Sequence, residues 1–326
     1  MPERVRKCPS CGGNLVAGRF DRDTRCTFCN SQVLLDPAAV YAEDFRDAFA
    51  DWDDPATWGA REWCTVAGTS WLVGERIATG DASEVYRAAR GRFPTERALI
   101  RVARYPADAA RLERAWTNGR RLQASKSRGA ALATRLPEPI AFGEPLAGAW
   151  KGKKVLVQRW SHNHERTLEQ VSGVSPQASV WVLRRILEAL SFIHGAGLVH
   201  GAVVPSHVLV ERGEHGARLV GLGSSGEPGA EITGFPPKYR HVVPDDTLSV
   251  AGDLRAAART IVHVLGGDAT SGRVAAPPAY ADLLRALVHD GATPQGDTDA
   301  WGVRDRVGAV AQAAFGRPTF CPILPR

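Results

Sequence analysis

Residues 190–210 read LSFIHGAGLVHGAVVPSHVLV. The first of them complete a run, 179–194, in which apolar side chains recur at intervals of three and four, the spacing that lines one face of an α-helix. Gly195 and Gly197 then stop the helix, because glycine takes up the terminating backbone at little steric cost. Beyond them come His200, Pro205 and His207, and from 195 to 210 there is no carboxylate and no side-chain amide.

This stretch resembles the end of a long helix and the catalytic loop of the protein kinase family. That loop reads His-Arg-Asp, then a spacer that often holds Lys-Pro, then Asn. His200 matches the His and Pro205 the Pro, but Ala202 stands at the place of the base Asp and His207 at the place of the metal-binding Asn. Phosphoryl transfer uses that carboxylate to position the attacking hydroxyl and that Asn to hold Mg²⁺.

The landmarks on either side follow the family's order. Residues 72–88 resemble the first two strands and the nucleotide loop, with Ala78, Gly80 and Ser83 at the three glycine places and Val85 at the position that covers the adenine. Residues 97–103 alternate as a strand and put Arg101 at the place of the phosphate-binding Lys. The two cations are not interchangeable where a compact ammonium must reach phosphates. A helix over 108–123 follows; Asn118 fits the register of its partner acid best, with Glu113 about a turn earlier. Residues 155–160 resemble the fifth strand and hinge, and Thr167 and Leu168 begin the next helix.

Downstream, residues 219–223 resemble the Asp-Phe-Gly strand, with Gly221 in place of the Mg²⁺-binding Asp and Gly223 retained. Residues 236–240 resemble the end of an activation segment, with Lys238 in place of Glu. The stretch between them is too short for a phosphorylation-controlled loop of ordinary length. Residues 246–267 resemble the central helix of the large lobe, led by Asp253, which in the family holds the catalytic-loop backbone. Further helices are expected near 280–288 and 303–315, then a Pro-rich surface segment.

The resemblance implies an α+β, bilobal protein kinase-like fold, with a β-rich small lobe over 69–160 and a helical large lobe over 161–326. It also implies a pseudokinase that is not an enzyme. The Lys, helix Glu, loop Asp, loop Asn, strand Asp and nucleotide-loop glycines are all altered, and with them go positioning and charge stabilisation together. ATP is not expected as a cofactor. The scaffold residues His200 and Asp253 remain, so the sequence reads as a maintained frame that binds proteins. An alternative is a nucleotide-binding protein with altered phosphoryl transfer, in which His200, His207, Asp245 and Asp246 are candidate replacement ligands. Arg101, as the longer cation, is a candidate to fill the phosphate space.

Ahead of this body, Cys8 and Cys11, then Cys26 and Cys29, form two Cys-x-x-Cys pairs with 14 residues between them. Two residues between thiolates let a tight turn aim both sulfurs at one ion, and four thiolates close a tetrahedron around Zn²⁺. Gly12 and Asn30 follow the pairs and suit the left-handed backbone such turns use. Residues 14–25 are expected to form a hairpin. The arrangement resembles the zinc-ribbon family over about 1–36. With four protein ligands and no open position, the zinc is expected to be structural. Residues 37–68, rich in Asp, Ala and Trp, read as a linker with a helix over 39–52 that packs on a neighbouring domain of the chain or, as the alternative, on a partner.

Composition limits the remaining possibilities. The chain has 326 residues, 44% hydrophobic and 23% charged, with a net charge of +6. These are ordinary values for a globular protein with a sizeable core. The basic excess at Arg111, Arg114, Arg120, Arg121, Lys126, Arg128 and 151–154 reads as a solvated helix face and a charged loop. A ribbon-based nucleic-acid adaptor is possible but not favoured, since no aromatic residues interleave the basic ones in a known motif. The N-terminus lacks the apolar core of a signal peptide, and no apolar run reaches the length of a membrane span. With Cys64 and Cys321 as ordinary packed thiols, the cysteine pattern is not that of a secreted disulfide scaffold, and a cytoplasmic location is expected. Zinc-ribbon kinase-like proteins of this layout resemble those of bacterial signalling operons, so von Willebrand A and phosphatase proteins are candidate partners.

Overall fold

The structure, a computed structural model, describes the chain most fully over 62–319. Earlier it describes Cys8, residues 14–18, 21, 23–27, 32–35 and single positions between 42 and 50. Residues 91–92, 126–129, 147, 149, 161–165, 172, 212–215, 320, 322 and 324–326 lie outside the described residues. Cys11, Cys29 and most of the expected helix over 39–52 also lie outside them.

The N-terminal segment carries a two-stranded hairpin. Strand β1 (Asp23–Arg25) pairs antiparallel with β2 (Gln32–Leu34), with Thr24 opposite Val33. This pairing spans the second cysteine pair, whereas the expected hairpin lay between the two pairs. Between the pairs, the Asp21 amide donates to the Gly18 carbonyl at 3.3 Å and the Thr24 hydroxyl to the Val16 carbonyl at 2.8 Å.

The small lobe is a six-stranded antiparallel sheet. Its strands are β3 (Glu62–Val66), β4 (Thr69–Thr79), β5 (Ser83–Arg90), β6 (Phe93–Ala103), β7 (Pro139–Gly143) and β8 (Val155–Arg159), in the order β3-β4-β5-β6-β8-β7. Strand period decides its faces: Ala98, Ile100 and Val102 point inward and join Val66, Trp71, Ala88, Val155 and Val157 in one apolar cluster. The sheet begins at Glu62, within the stretch read from sequence as linker, because the alternation of Cys64 and Val66 completes the same buried face. Helix α1 (Ala109–Ala124) covers the sheet with Leu112, Ala115 and Leu122.

The large lobe is built on α2 (Pro176–Gly195), which Ser175 caps by accepting from the Ala178 amide. This helix is buried on most of its surface and packs against α3 (Val250–Val264) and α5 (Ala300–Phe315), while α4 (Pro278–Asp290) packs on α3 and α5. Short strands β9 (Arg166–Thr167), β10 (Val208–Val210) and β11 (Ala217–Leu219) form a small sheet facing the small lobe. The two-lobed arrangement and the helix positions agree with the sequence reading. Where a helix was expected from Thr167, only a 3-10 turn forms over Leu168–Gln170. Among the described residues, no helix is long and apolar enough to cross a membrane.

Candidate functional site

The loop between α2 and β10 is held from behind by one carboxylate. Asp253, on the first turn of α3, accepts from the backbone amides of His200 at 2.7 Å and Gly201 at 2.8 Å, and it also meets His194 Nε2 at 2.9 Å. His200 is fully buried. Its Nε2 donates to the Val220 carbonyl at 2.9 Å, and its Nδ1 accepts from the Ala202 amide at 3.2 Å. One ring nitrogen donates and the other accepts, so the imidazole is neutral, in keeping with burial that lowers its pKa. Both residues are therefore framework, as their sequence positions implied.

Ala202 is buried, and its carbonyl accepts from His207 Nδ1 at 2.9 Å. His207 turns its ring onto Gly221, the residue after β11 and Val220. A Cβ built at Gly221 would lie 2.6 Å from His207 Nδ1, and Gly221 has φ of +96°. The ring from 207 thus fills the space that a side chain at 221 would need. Burial, reinforced by His200, lowers the His207 pKa to about 4, with the Ala202 bond and the Asp81 charge opposing. At neutral pH the ring is uncharged.

On the opposite wall, Arg101 of β6 is partly buried and its Nε donates to the Ser83 hydroxyl at 3.1 Å. Burial lowers its pKa, opposed by the charge of Asp81 and helped by that of Arg111. Ala78 pairs with Val85 across β4 and β5, and the Gly80 amide donates to the Ser83 carbonyl at 2.8 Å, so the altered nucleotide loop closes as an ordinary tight turn. Arg101 thus reaches the underside of this loop.

Asn118 does not meet Arg101. Its Nδ2 donates to the carbonyls of Leu222 at 3.0 Å and Ser225 at 2.9 Å. It is one of a row of α1 side chains fixed to the segment after Gly221. Arg114 donates to the Gly223 carbonyl at 3.1 Å and the Thr233 hydroxyl at 3.2 Å. Arg111 joins Asp81 at 2.5 Å and the Gly234 carbonyl at 2.5 Å. Burial of Asp81 raises its pKa, but the bond and charge of Arg111 outweigh it and hold the carboxyl below its ordinary value. Nucleotide loop, α1 and activation segment are thereby tied together through one guanidinium.

Ala202, His207 and Gly221 are therefore brought together, Arg101 meets Ser83, and Asn118 faces the segment after Gly221 instead. Asp245 and Asp246, the candidate replacement ligands, pair with Arg255 at 2.8 Å and with Arg240 respectively, and not with His200 or His207. Lys238 pairs with Glu169. Sequence reasoning missed Asp81 and the roles of Arg111 and Arg114. Their spacing of three put both arginines on one helix face, but sequence offers no signal for which carbonyls that face would meet. Cys64 is buried, which raises its thiol pKa to about 11, as expected of a packed thiol. Cys8 and Cys26 are both buried, and among the described residues no disulfide links them.

These elements define a bilobal protein kinase-like fold, and solved structures share it. The chain aligns with the ROP18 kinase domain in complex with AMP-PNP and sucrose at TM-score 0.56 and 13% identity, over 84% of this chain and 90% of that one. It aligns with vaccinia related kinase 3 at 0.57 and 17%, over 87% and 100%. ROP2 from Toxoplasma gondii, described as a virulence factor with a protein-kinase fold and no enzymatic activity, aligns at 0.56 and 14%, over 84% and 94%. No family model matches the chain. Among curated proteins, Serine/threonine-protein kinase F of Synechocystis sp. (strain ATCC 27184 / PCC 6803 / Kazusa) is 29% identical over 142 residues. The match takes in 40% of this chain and spans 28% of that protein's length. The expectation of a non-enzyme is corrected by this similarity: this curated relative is a serine/threonine kinase, and a kinase domain in complex with AMP-PNP shares the fold.

Proposed function

We propose that this chain is an atypical kinase-like signalling protein that works on or through partner proteins, and that phosphoryl transfer in it departs from the standard Mg²⁺-dependent route. The observation that supports this reading is the packing of the His207 ring into the side-chain space of Gly221. Both positions that would carry metal ligands are committed to each other, and the ring is neutral at physiological pH. The compact segment after Gly221, fixed to α1, offers a firm surface for a protein partner, and von Willebrand A or phosphatase proteins are candidates. A cytoplasmic location is part of this reading.

We also assign a structural zinc to Cys8, Cys11, Cys26 and Cys29. The described members of this set fit it: one thiol from each pair is buried, and the two share one apolar cluster. When bound, zinc supplies a cross-link between the two turns and no open coordination position.

The test is the unfolding midpoint with ATP alone and with Mg²⁺·ATP, alongside phosphoryl transfer to a general protein substrate in the same buffers. A ligand of the native state raises the midpoint. The reading expects no further rise when Mg²⁺ is added. A Mg²⁺-dependent rise together with Mg²⁺-dependent transfer would overturn it.

A further inference from the structure

Trp181 stands on the outer side of α2 and is only 7% exposed. It does not join the apolar core of its own lobe, although its neighbours Val180, Val182 and Leu183 do. Instead it shares a cluster with Cys8, Cys26 and Val33, with Leu15 packed against it. An indole is among the largest apolar areas a side chain can bury. The apolar side chains it clusters with, among the described residues, are those of the N-terminal cysteine segment.

Arginines surround the ring, with Glu188 and Asp305 as the nearby carboxylates. The guanidinium groups of Arg184 and Arg185 lie 5.9 and 5.7 Å from the Trp181 ring. Arg135 pairs with the buried carboxylate of Glu188 at 3.4 Å. Four thiolates around Zn²⁺ carry a net charge of minus two, which a cationic surface attracts, whereas four neutral thiols carry none.

We infer that the N-terminal cysteine segment is seated on the large lobe, with Trp181 of α2 as its seat, so that metal loading and seating favour each other. This rests on the zinc assignment above and names what the metal-bearing face contacts. By linkage the coupling is reciprocal: whatever unseats the segment loosens the metal, and whatever removes the metal unseats the segment.

The experiment uses the full chain. Zinc content of the purified protein tests the metal assignment alone, and protein that neither contains nor takes up one zinc per chain defeats that assignment. With zinc present, its transfer to a chromogenic chelator is timed in wild type and in Trp181→Ala. The seat predicts release faster by about tenfold, the scale of losing one well-packed aromatic contact. Equal rates at equal zinc content overturn the seating.

A second measurement does not depend on a truncated side chain. In 5-fluorotryptophan-labelled wild type, the ¹⁹F resonance absent from Trp181→Phe belongs to Trp181. It shifts when the chelator removes zinc if the segment leaves its seat. An unmoved resonance overturns the inference, whatever the zinc content.

Discussion

A methyl group at position 221 would meet the His207 ring at 2.6 Å while the backbone sits at φ of +96°. Gly221→Ala is therefore expected to destabilise the protein by about 2–4 kcal/mol, from the contact and the left-handed backbone together. Adding His207→Ala removes the contact and leaves the backbone cost of about 1 kcal/mol. The two substitutions should then be strongly non-additive in urea unfolding, and additivity would show that the residues do not share the space. The same ring sets a pH dependence. Its pKa is lowered to about 4 from an unfolded value near 6.5, so the native state resists protonation. Its contribution is complete above pH 6.5, falls as the pH drops towards 4, and is constant below that. The full span is on the order of 3 kcal/mol. His207→Asn should flatten the stability curve within that window, measured as unfolding midpoints from pH 7.5 to 4.

Helix α1 is fixed by side chains that donate to backbone carbonyls, and this explains why an amide serves at position 118. Leu222 and Ser225 present oxygens there, and only a donor can satisfy both. Asn118→Ala leaves two acceptors unsatisfied in a buried place, at a cost of about 1–3 kcal/mol. Asn118→Asp faces oxygen with oxygen and should cost more than Ala. Hydrogen exchange over 222–234, compared among the three proteins, checks the order; protection equal to wild type in Asn118→Asp would refute it. The close approach is built into the sequence from the other side, since a Cβ at Gly223 would come within 2.6 Å of the Arg111 carbonyl.

Across the whole molecule, Glu188 gathers cations from distant parts of the chain. It pairs with Arg185 at 2.5 Å, Arg304 at 3.1 Å and Arg135 at 3.4 Å, joining α2 to α5 and to the turn before β7. Burial raises its pKa, but these charges outweigh that and hold the carboxyl ionised. Glu188→Gln leaves guanidinium groups without their carboxylate and is expected to cost about 3–5 kcal/mol. A loss below 1 kcal/mol in denaturant unfolding would show that the other contacts of these arginines suffice.

Much of this architecture was legible in the sequence. Period-two alternation over 97–103 and three-four spacing over 179–194 are local signals, because a strand or helix must turn its apolar side chains to one face. His200, Asp253, Ala202, His207 and Gly221 could be placed because their chain spacing carries the resemblance. The pairing of Asp81 with Arg111, the turning of Asn118 away from Arg101, and the seat that Trp181 gives to Cys8 and Cys26 were not legible. Each joins segments far apart in the chain, and an arginine or asparagine will take any carboxylate or carbonyl that packing brings near. The expectation of a non-enzyme was overturned because it inferred inactivity from residue types at a few positions, while the similarity found over 142 residues is to a serine/threonine kinase. The sequence alone thus determined the elements, their order and the residues at each landmark, since these follow from local periodicity and spacing. Only the tertiary structure decided which side chains share space, as His207 and Gly221 do, because occupancy is set by how separate segments pack and no local pattern encodes that.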